Sequence, residues 1–225
     1  MIFYKSTSRY ISLLNDKVDF ETALFDGIAS DDGLYMPVTI PKFSFKEIMN
    51  MKNLNYSDIA FIILNKFLKN QIKEKHLKFI VNDSYNFEIP IEKFNNNTSI
   101  IRLDRGPTLS FKDFAGRFMA RVMKVLKKDD KKIIILVATS GDTGGAVGSS
   151  FKGLDDINVV ILYPRDEVTN FQKKQMNNLG CNIKTIEVKG KFDDCQLMVK
   201  KAFNDKAAAL FNANLNENKD KWNLI

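Results

Sequence analysis

The sequence is poor in the residues that build metal centres, disulfide frameworks and histidine-based catalytic sites. It contains one histidine, His76, and two cysteines, Cys181 and Cys195, among 225 residues. A zinc site or a Ser-His-Asp triad draws on such side chains, so we expect no metal site and no triad. Two cysteines do not make a disulfide framework, and we therefore predict a reduced, cytoplasmic protein.

The chain also lacks long apolar runs and blocks of like charge. It has no stretch of 18 apolar residues and no long apolar run in residues 1–10, so we predict neither a membrane span nor a signal peptide. The net charge is +7, yet Lys is spread through nearly every segment, and no block of five or more like charges occurs. This distribution favours an ordinary charged surface over a nucleic-acid or anionic-surface partner.

Two regions of different pattern divide the chain, of which 44% is apolar, enough for a large core. Residues 1–95 are predicted to form a small, mainly helical domain, and the polar run 95–97 is taken as its boundary. A glycine at 27 can end the first helix, and Ser44 and Ser57 are the expected caps of the second and third. The predicted helices cover residues 19–25, 44–51, 57–68 and 74–81.

Strand and helix patterns alternate from residue 98 onward. Residues 132–138 are nearly all apolar, as expected of a strand buried on both faces of a parallel sheet. The predicted fold class is therefore α/β, with an incomplete parallel-sheet domain in residues 96–225. The predicted strands are 98–103, 132–138, 158–163 and 182–187, and the predicted helices are 111–128, 170–179 and 193–203.

A lysine stands at the start of the strongly amphipathic helix that follows residue 110. Ser110 and Asp113 have the spacing of a capping box, which places Lys112 in the first helical turn. A cation is disfavoured at a helix N-terminus. The same field lowers the pKa of an amine that must be neutral to attack an aldehyde. On residue type and position alone, a solvated lysine that tolerates this place stays an alternative.

A second candidate site is the loop ATSGDTGGA, residues 138–146, between a buried strand and a helix. Hydroxyls, free backbone N–H groups and a helix N-terminus meet there, which is typical of a site for a carboxylate or phosphate. The phosphate loop of nucleotide hydrolases needs a Lys after its last glycine, where this chain has Ala146. The dinucleotide fingerprint needs an acid at the end of the next strand, where this chain has Tyr163 and Pro164. A nucleotide-binding module is therefore disfavoured.

These segments resemble the threonine synthase family, pyridoxal-phosphate enzymes of the tryptophan synthase β-like fold (fold type II). Four motifs carry the resemblance in order: DGIASDDGLYMP at 26–37, GPTLSFKD at 106–113, ATSGDTG at 138–144 and GKFDDCQ at 190–196. The resemblance implies a threonine synthase N-terminal domain at 1–95 and part of a pyridoxal-phosphate-dependent catalytic domain at 96–225. The function it implies is conversion of O-phosphohomoserine and water to L-threonine and phosphate.

The resemblance also implies roles for individual residues. Lys112 would carry pyridoxal 5'-phosphate as an aldimine and would move protons on the substrate. Thr139, Ser140 and Thr143 would bind the substrate carboxylate, and Asp142 would lie near the phenolic oxygen of the cofactor. Arg165, after the second buried strand, is expected to meet the substrate phosphate, since a guanidinium suits that anion.

Length sets this chain apart from the family it resembles, whose members are about twice as long. No further Gly-rich loop follows Gly153, so donors for the cofactor phosphate are not apparent in the sequence. Residues 212–225 are rich in Asn and Lys and lack the expected continuation. The chain is therefore expected to be truncated. The alternatives are a catalytically inactive fragment and one half of a split enzyme, with a second-half chain or a homo-oligomer as the partner.

Overall fold

The computed structural model describes residues 1–8, 17–128, 132–204 and 223–224. The chain divides into two compact units. The first comprises Met1–Asn86 and Arg121–Lys127, and the second comprises Phe87–Ala120 and Lys128–Ile225. The division after residue 95 stays a prediction. The polar run at 95–97 lies in the turn of an antiparallel hairpin, β3 (Ile91–Asn95) and β4 (Thr98–Ile101), within the second unit.

The described part of the first unit contains four helices, a two-stranded antiparallel ribbon and, within Arg121–Lys127, the last turns of a fifth helix. The ribbon, which the sequence did not predict, pairs β1 (Tyr4–Ser6) with β2 (Tyr35–Pro37). The apolar faces of the last two of the four helices supply a core that contains Leu68, Leu77, Ile80 and Val81. The helices are α1 (Phe20–Asp26), α2 (Phe45–Asn50), α3 (Tyr56–Leu68) and α4 (Glu74–Ser84).

Short polar side chains cap the first three of these helices, and one of the predicted caps was wrong. Ser44 forms a full capping box with Glu47, as its spacing predicts. The third helix is capped by Asn55, whose side chain accepts from the backbone N–H of Asp58, and not by Ser57. Ser57 lies inside the first turn and donates its hydroxyl to Asn55 Oδ1. A Ser and an Asn two positions apart are both good caps, so their order could not be decided from residue type.

A parallel sheet with the strand order β7-β6-β5-β8 forms the core of the second unit, which confirms the predicted α/β class. Fully buried side chains at Val159 and Ile161 lie in its central strand. The strands are β5 (Ile133–Ala138), β6 (Ile157–Pro164), β7 (Ile183–Val188) and β8 (Asn223–Leu224). The helices are α5 (Asp113–Leu126), α6 (Asp142–Phe151), α7 (Asn170–Asn177) and α8 (Phe192–Asn204).

Glycines let α6 approach the sheet and its neighbours closely. A Cβ at Gly144 would lie 2.6 Å from Thr139 Cγ2 and 2.8 Å from Ile161 Cγ2. One at Gly148 would lie 2.5 Å from Leu179 Cδ1. Gly144, which belongs to the loop 138–146, therefore also serves helix-to-sheet packing. No helix in the described ranges is long and apolar enough to cross a membrane.

Candidate functional site

The loop between β5 and α6 is held by a buried hydroxyl. Thr139 follows the carboxyl end of β5 and is 1% exposed. Its Oγ1 accepts hydrogen bonds from the backbone N–H groups of Gly141 and Gly144, each at 2.9 Å. These two bonds fold the loop over the start of α6. Thr139 therefore shapes the loop, and only its hydroxyl proton remains to donate to a ligand.

Two further hydroxyls face outward from the same loop. Ser140 is exposed and Thr143 is half-buried, and neither side chain makes a hydrogen bond within the described residues. The backbone N–H groups of Asp142 and Thr143 lie in the first turn of α6, where no helical carbonyl is available to accept them. Hydroxyl and amide donors at a helix N-terminus suit an anion, because the helix dipole adds to their attraction.

The acidic residue of the loop is tied to a helix thirty positions later. Gln172 Nε2 in α7 donates to Asp142 Oδ1 at 2.6 Å. Gly141 has a φ of +138°, and a Cβ there would lie 2.4 Å from the Gln172 amide carbon. The position accordingly requires glycine both for its backbone angle and for the close approach of Gln172.

The segment before α5 is also arranged by a buried side chain, but not in the predicted way. Asp113 is fully buried, and its carboxylate accepts from the backbone N–H of Thr108 at 2.9 Å and from Thr108 Oγ1 at 2.7 Å. The predicted capping box is wrong in detail, because Ser110 Oγ accepts from Lys112 N at 3.3 Å. Asp113 reaches back five residues, where its two bonds close the turn that begins at Gly106.

Lys112 lies one position before the first residue of α5, and not inside the first turn. Its carbonyl accepts the first helical bond, from Gly116 N at 2.9 Å, which is the property of an N-cap residue. The side chain is half-buried, and Nζ lies 4.4 Å from the centroid of the Phe111 ring. Leu109, three residues earlier, has a φ of +62°, a backbone conformation that is strained for a side chain of this kind.

Helix α7 contacts both candidate segments. Gln175 Nε2 donates to the Thr108 carbonyl at 3.3 Å, and a Cβ at Gly145 would lie 3.6 Å from Gln175 Oε1. Gln172, one turn earlier on the same face, contacts Asp142. The segment that carries Lys112 and the loop 139–143 therefore share α7 as a neighbour. Neither glutamine was a candidate from the sequence; the Thr169-Gln172 spacing signals only a helix cap, which the structure also shows.

Arg165 follows the carboxyl end of β6, as expected, but it already has an anionic partner. Its Nε lies 2.6 Å from Glu187 Oε1, and Lys173 Nζ lies 3.2 Å from the other oxygen. The hydrogen bonds from Arg165 and then Lys173 hold the pKa of Glu187 below its ordinary value. A substrate phosphate would have to compete with Glu187 for Arg165, and the role of this residue stays a prediction. Within the described ranges no cluster of His, Cys, Asp and Glu could hold a metal ion.

Two family profiles together match nearly all of the chain. The profile described as "Threonine synthase N terminus" matches residues 3–85, and that described as "Pyridoxal-phosphate dependent enzyme" matches residues 92–223. Threonine synthase of Buchnera aphidicola subsp. Acyrthosiphon pisum is 40% identical over 193 residues, which is 85% of this chain and 45% of that relative. Threonine synthase of Escherichia coli is 40% identical over 192 residues, again 85% of this chain and 45% of that relative.

Solved structures give the same result. The crystal structure of threonine synthase from Escherichia coli superposes with a TM-score of 0.83 and 36% identity, covering 100% of this chain and 49% of that one. The pyridoxal-phosphate-bound threonine synthase from Brucella melitensis gives a TM-score of 0.81 at 33% identity, covering 91% of this chain and 45% of that one. The chain spans about half the length of the relatives it matches and corresponds to their N-terminal half.

Proposed function

This chain belongs to the pyridoxal-phosphate-dependent enzyme family, and we propose that it is the lysine-bearing half of a threonine synthase. The reaction proposed for the whole protein converts O-phosphohomoserine and water to L-threonine and phosphate. One observation carries the proposal beyond family membership. A half-buried amine at the N-cap of α5 and a hydroxyl-bearing anion loop at the start of α6 share α7 as a neighbour. An amino-acid substrate needs both, an amine partner for the cofactor and donors for its carboxylate.

The side chains present fit the cofactor and the substrate in chemical type. Lys112 offers a primary amine beside the apolar ring of Phe111, which shields it partly from water. Ser140 and Thr143 offer hydroxyl donors without partners in the described part of the chain. When bound, pyridoxal phosphate supplies an electron sink for charge that develops on the substrate carbons. Donors for its phosphate group are expected from residues outside this sequence, because only Gly180 and Gly190 follow Gly153.

Each candidate residue then has one task. Lys112 would hold the cofactor through its amine and would move protons at the substrate's α, β and γ carbons, as a positioned general base and acid can. Ser140, Thr143 and the hydroxyl proton of Thr139 bind the substrate carboxylate. Asp142 is held on one oxygen by Gln172 and would lie near the phenolic oxygen of the cofactor. Arg165 remains the candidate for the substrate phosphate.

Reductive labelling tests the assignment of Lys112 without requiring turnover. The purified chain is incubated with pyridoxal phosphate, reduced with borohydride, digested and mapped. We expect the label on the peptide that contains Lys112. Lys112→Ala should lose it, whereas Lys174→Ala, at an exposed lysine in α7, should keep it. Label on another lysine, together with undiminished labelling of Lys112→Ala, would remove Lys112 from the site.

The half-length match favours a second arrangement, in which this chain works with a separate chain that carries the rest of the enzyme. Among the described strands β7 lies at one edge of the sheet, so its outer backbone groups lack a neighbouring strand. The hairpin β3–β4 is exposed along its whole length and carries apolar side chains such as Ile91 and Phe94. Such surfaces suit a partner chain, and phosphate release from O-phosphohomoserine with and without that partner is the test.

A further inference from the structure

Two glutamines of α7 face the two candidate segments at once. Gln172 also caps α7, but its bond to Asp142 and the bond of Gln175 to Thr108 are not part of that cap. Gln172 and Gln175 are three residues apart, so both side chains leave the same face of the helix. Gln172 bonds the carboxylate of Asp142, and Gln175 bonds the Thr108 carbonyl, in the turn that precedes Lys112. A helix that only covered the sheet would need apolar residues, such as the buried Met176, on its inner side.

We propose that α7 acts as a strut, by which we mean a helix that holds two segments at a fixed separation. Gln172 fixes the loop 139–143, and Gln175 fixes the segment 106–113 that carries Lys112. The strut sets the position of one segment relative to the other. Both glutamines are positioning residues and neither touches substrate. The inference rests on the proposed function, since it is the roles of Lys112 and the loop that make their relative position matter.

The bonds of Gln172 show how the strut is anchored. Gln172 Oε1 accepts from the backbone N–H of Thr169 at 3.1 Å and from Thr169 Oγ1 at 2.9 Å, which completes the cap of α7. Its Nε2 is thereby oriented toward Asp142, and the amide plane lies against Gly141, where no side chain intervenes. One residue thus couples the start of α7 to the start of α6. Rearrangement of the loop would have to break either the cap or the bond to Asp142.

The bond of Gln175 anchors the other segment. The Thr108 residue that accepts from Gln175 also donates its N–H and hydroxyl to the buried carboxylate of Asp113. Asp113 is the first residue of α5 and directly follows Lys112. A displacement of Thr108 is therefore transmitted through Asp113 to the N-cap, where a shift of about 1 Å is enough to cost roughly a hundredfold in rate.

Two glutamate substitutions distinguish the positioning role of α7 from its role in the fold. Gln172→Glu keeps a side-chain oxygen that can cap α7, because Glu is the usual residue of a capping box, and replaces the amide donor to Asp142 by a like charge. Gln175→Glu places a carboxylate against the Thr108 carbonyl. Gln196→Glu makes the same chemical change at an exposed glutamine of α8 that bonds to neither segment in the described structure, and it is the matched control.

Hydrogen exchange, read by mass spectrometry on the full chain without cofactor, measures the effect of each substitution on the two segments. We expect exchange in residues 139–146 to rise about tenfold in Gln172→Glu, since a bond to a carboxylate becomes a repulsion, while α7 keeps its protection. Gln175→Glu should instead raise exchange in residues 106–113 and slow reductive labelling of Lys112 several-fold. Pairing Gln172→Glu with Asp142→Asn restores a bond with donor and acceptor reversed, and should return the loop toward its original exchange.

These results test the positioning role of α7 separately from the proposed function. Exchange that rises first in α7 itself, or that matches Gln196→Glu in both segments, would overturn the strut. Failure of the paired variant to protect the loop would also overturn the role of Gln172. If the unmodified chain carries no label on Lys112, the proposed function fails, and the exchange measurements still decide whether α7 holds the two segments.

Discussion

Replacing Thr139 with Val tests whether its hydroxyl holds the anion loop. Valine keeps the shape of the side chain and removes the acceptor of two hydrogen bonds, from the N–H groups of Gly141 and Gly144. Both glycines are buried, and each buried N–H left without a partner costs about 1–3 kcal/mol. Because Ser140 beside them is exposed, water can reach part of the loop, and we expect a total loss of about 2–4 kcal/mol of unfolding free energy.

The matched control is Thr139→Ser, which keeps the acceptor and removes the methyl group that packs beside Gly144. One buried methyl is worth about 1 kcal/mol. At about 2–4 °C per kcal/mol for a chain of this size, Thr139→Val should lower the melting temperature by about 5–15 °C and Thr139→Ser by about 2–4 °C. Thermal unfolding followed by circular dichroism gives both values. Melting temperatures for the two variants that do not differ measurably would refute the assignment of the hydroxyl to the loop.

Three further predictions concern substrate binding, turnover and pH. In an assembled, active enzyme Ser140→Ala should weaken substrate binding by about 1–3 kcal/mol, which raises the dissociation constant about five- to 150-fold. The melting temperature should change little because the side chain is exposed. Unchanged affinity would remove Ser140 from the site. The 225-residue chain alone should release phosphate from O-phosphohomoserine at a rate far below that of typical enzymes, which is about 1–1000 per second. Adding the part of Escherichia coli threonine synthase that has no counterpart here should raise the rate. A typical rate from the chain alone would contradict this prediction. Hydrogen bonds from Lys66 and then from Ser44 lower the pKa of Glu47 from 4.5 to about 2. The stability that this carboxylate contributes is therefore complete above its ordinary pKa and is lost as the pH falls toward 2. Lys66→Met should reduce the fall in melting temperature over that pH range, and an unaltered profile would count against the ion pair.

The strand and helix pattern of the second unit was predictable because it depends on short-range order. Nearly continuous apolar residues at 133–138 and 157–164 form neighbouring parallel strands, as their composition predicts. The caps at Ser44 and Thr169 follow from a hydroxyl and a Glu or Gln three residues later. The hairpin β3–β4 was half missed, because the mixed residues of β3, IEKFN, have no clear alternation.

The lysine segment shows where local spacing misleads. Ser110 and Asp113 have capping-box spacing, but Asp113 turns back to Thr108, and Ser110 accepts from Lys112. Both arrangements provide acceptors for backbone N–H groups at the start of the helix. Only the tertiary packing, in which Asp113 is fully buried, selects between them. The helix consequently begins at Asp113, two residues later than the predicted start at residue 111, with Lys112 at the N-cap.

The sequence by itself determined which residues are candidates: a lysine before an amphipathic helix, and a hydroxyl-rich glycine loop after a buried strand. Those features depend on residue types within about ten positions of one another. Only the tertiary structure decided that Thr139 is committed to the loop, that Arg165 is paired with Glu187, and that Gln172 and Gln175 bridge to both segments. The partners of Arg165, Gln172 and Gln175 lie 22 to 67 positions away along the chain. A hydrogen bond depends on distance in space, which is set by how the sheet and its helices pack and not by separation along the sequence.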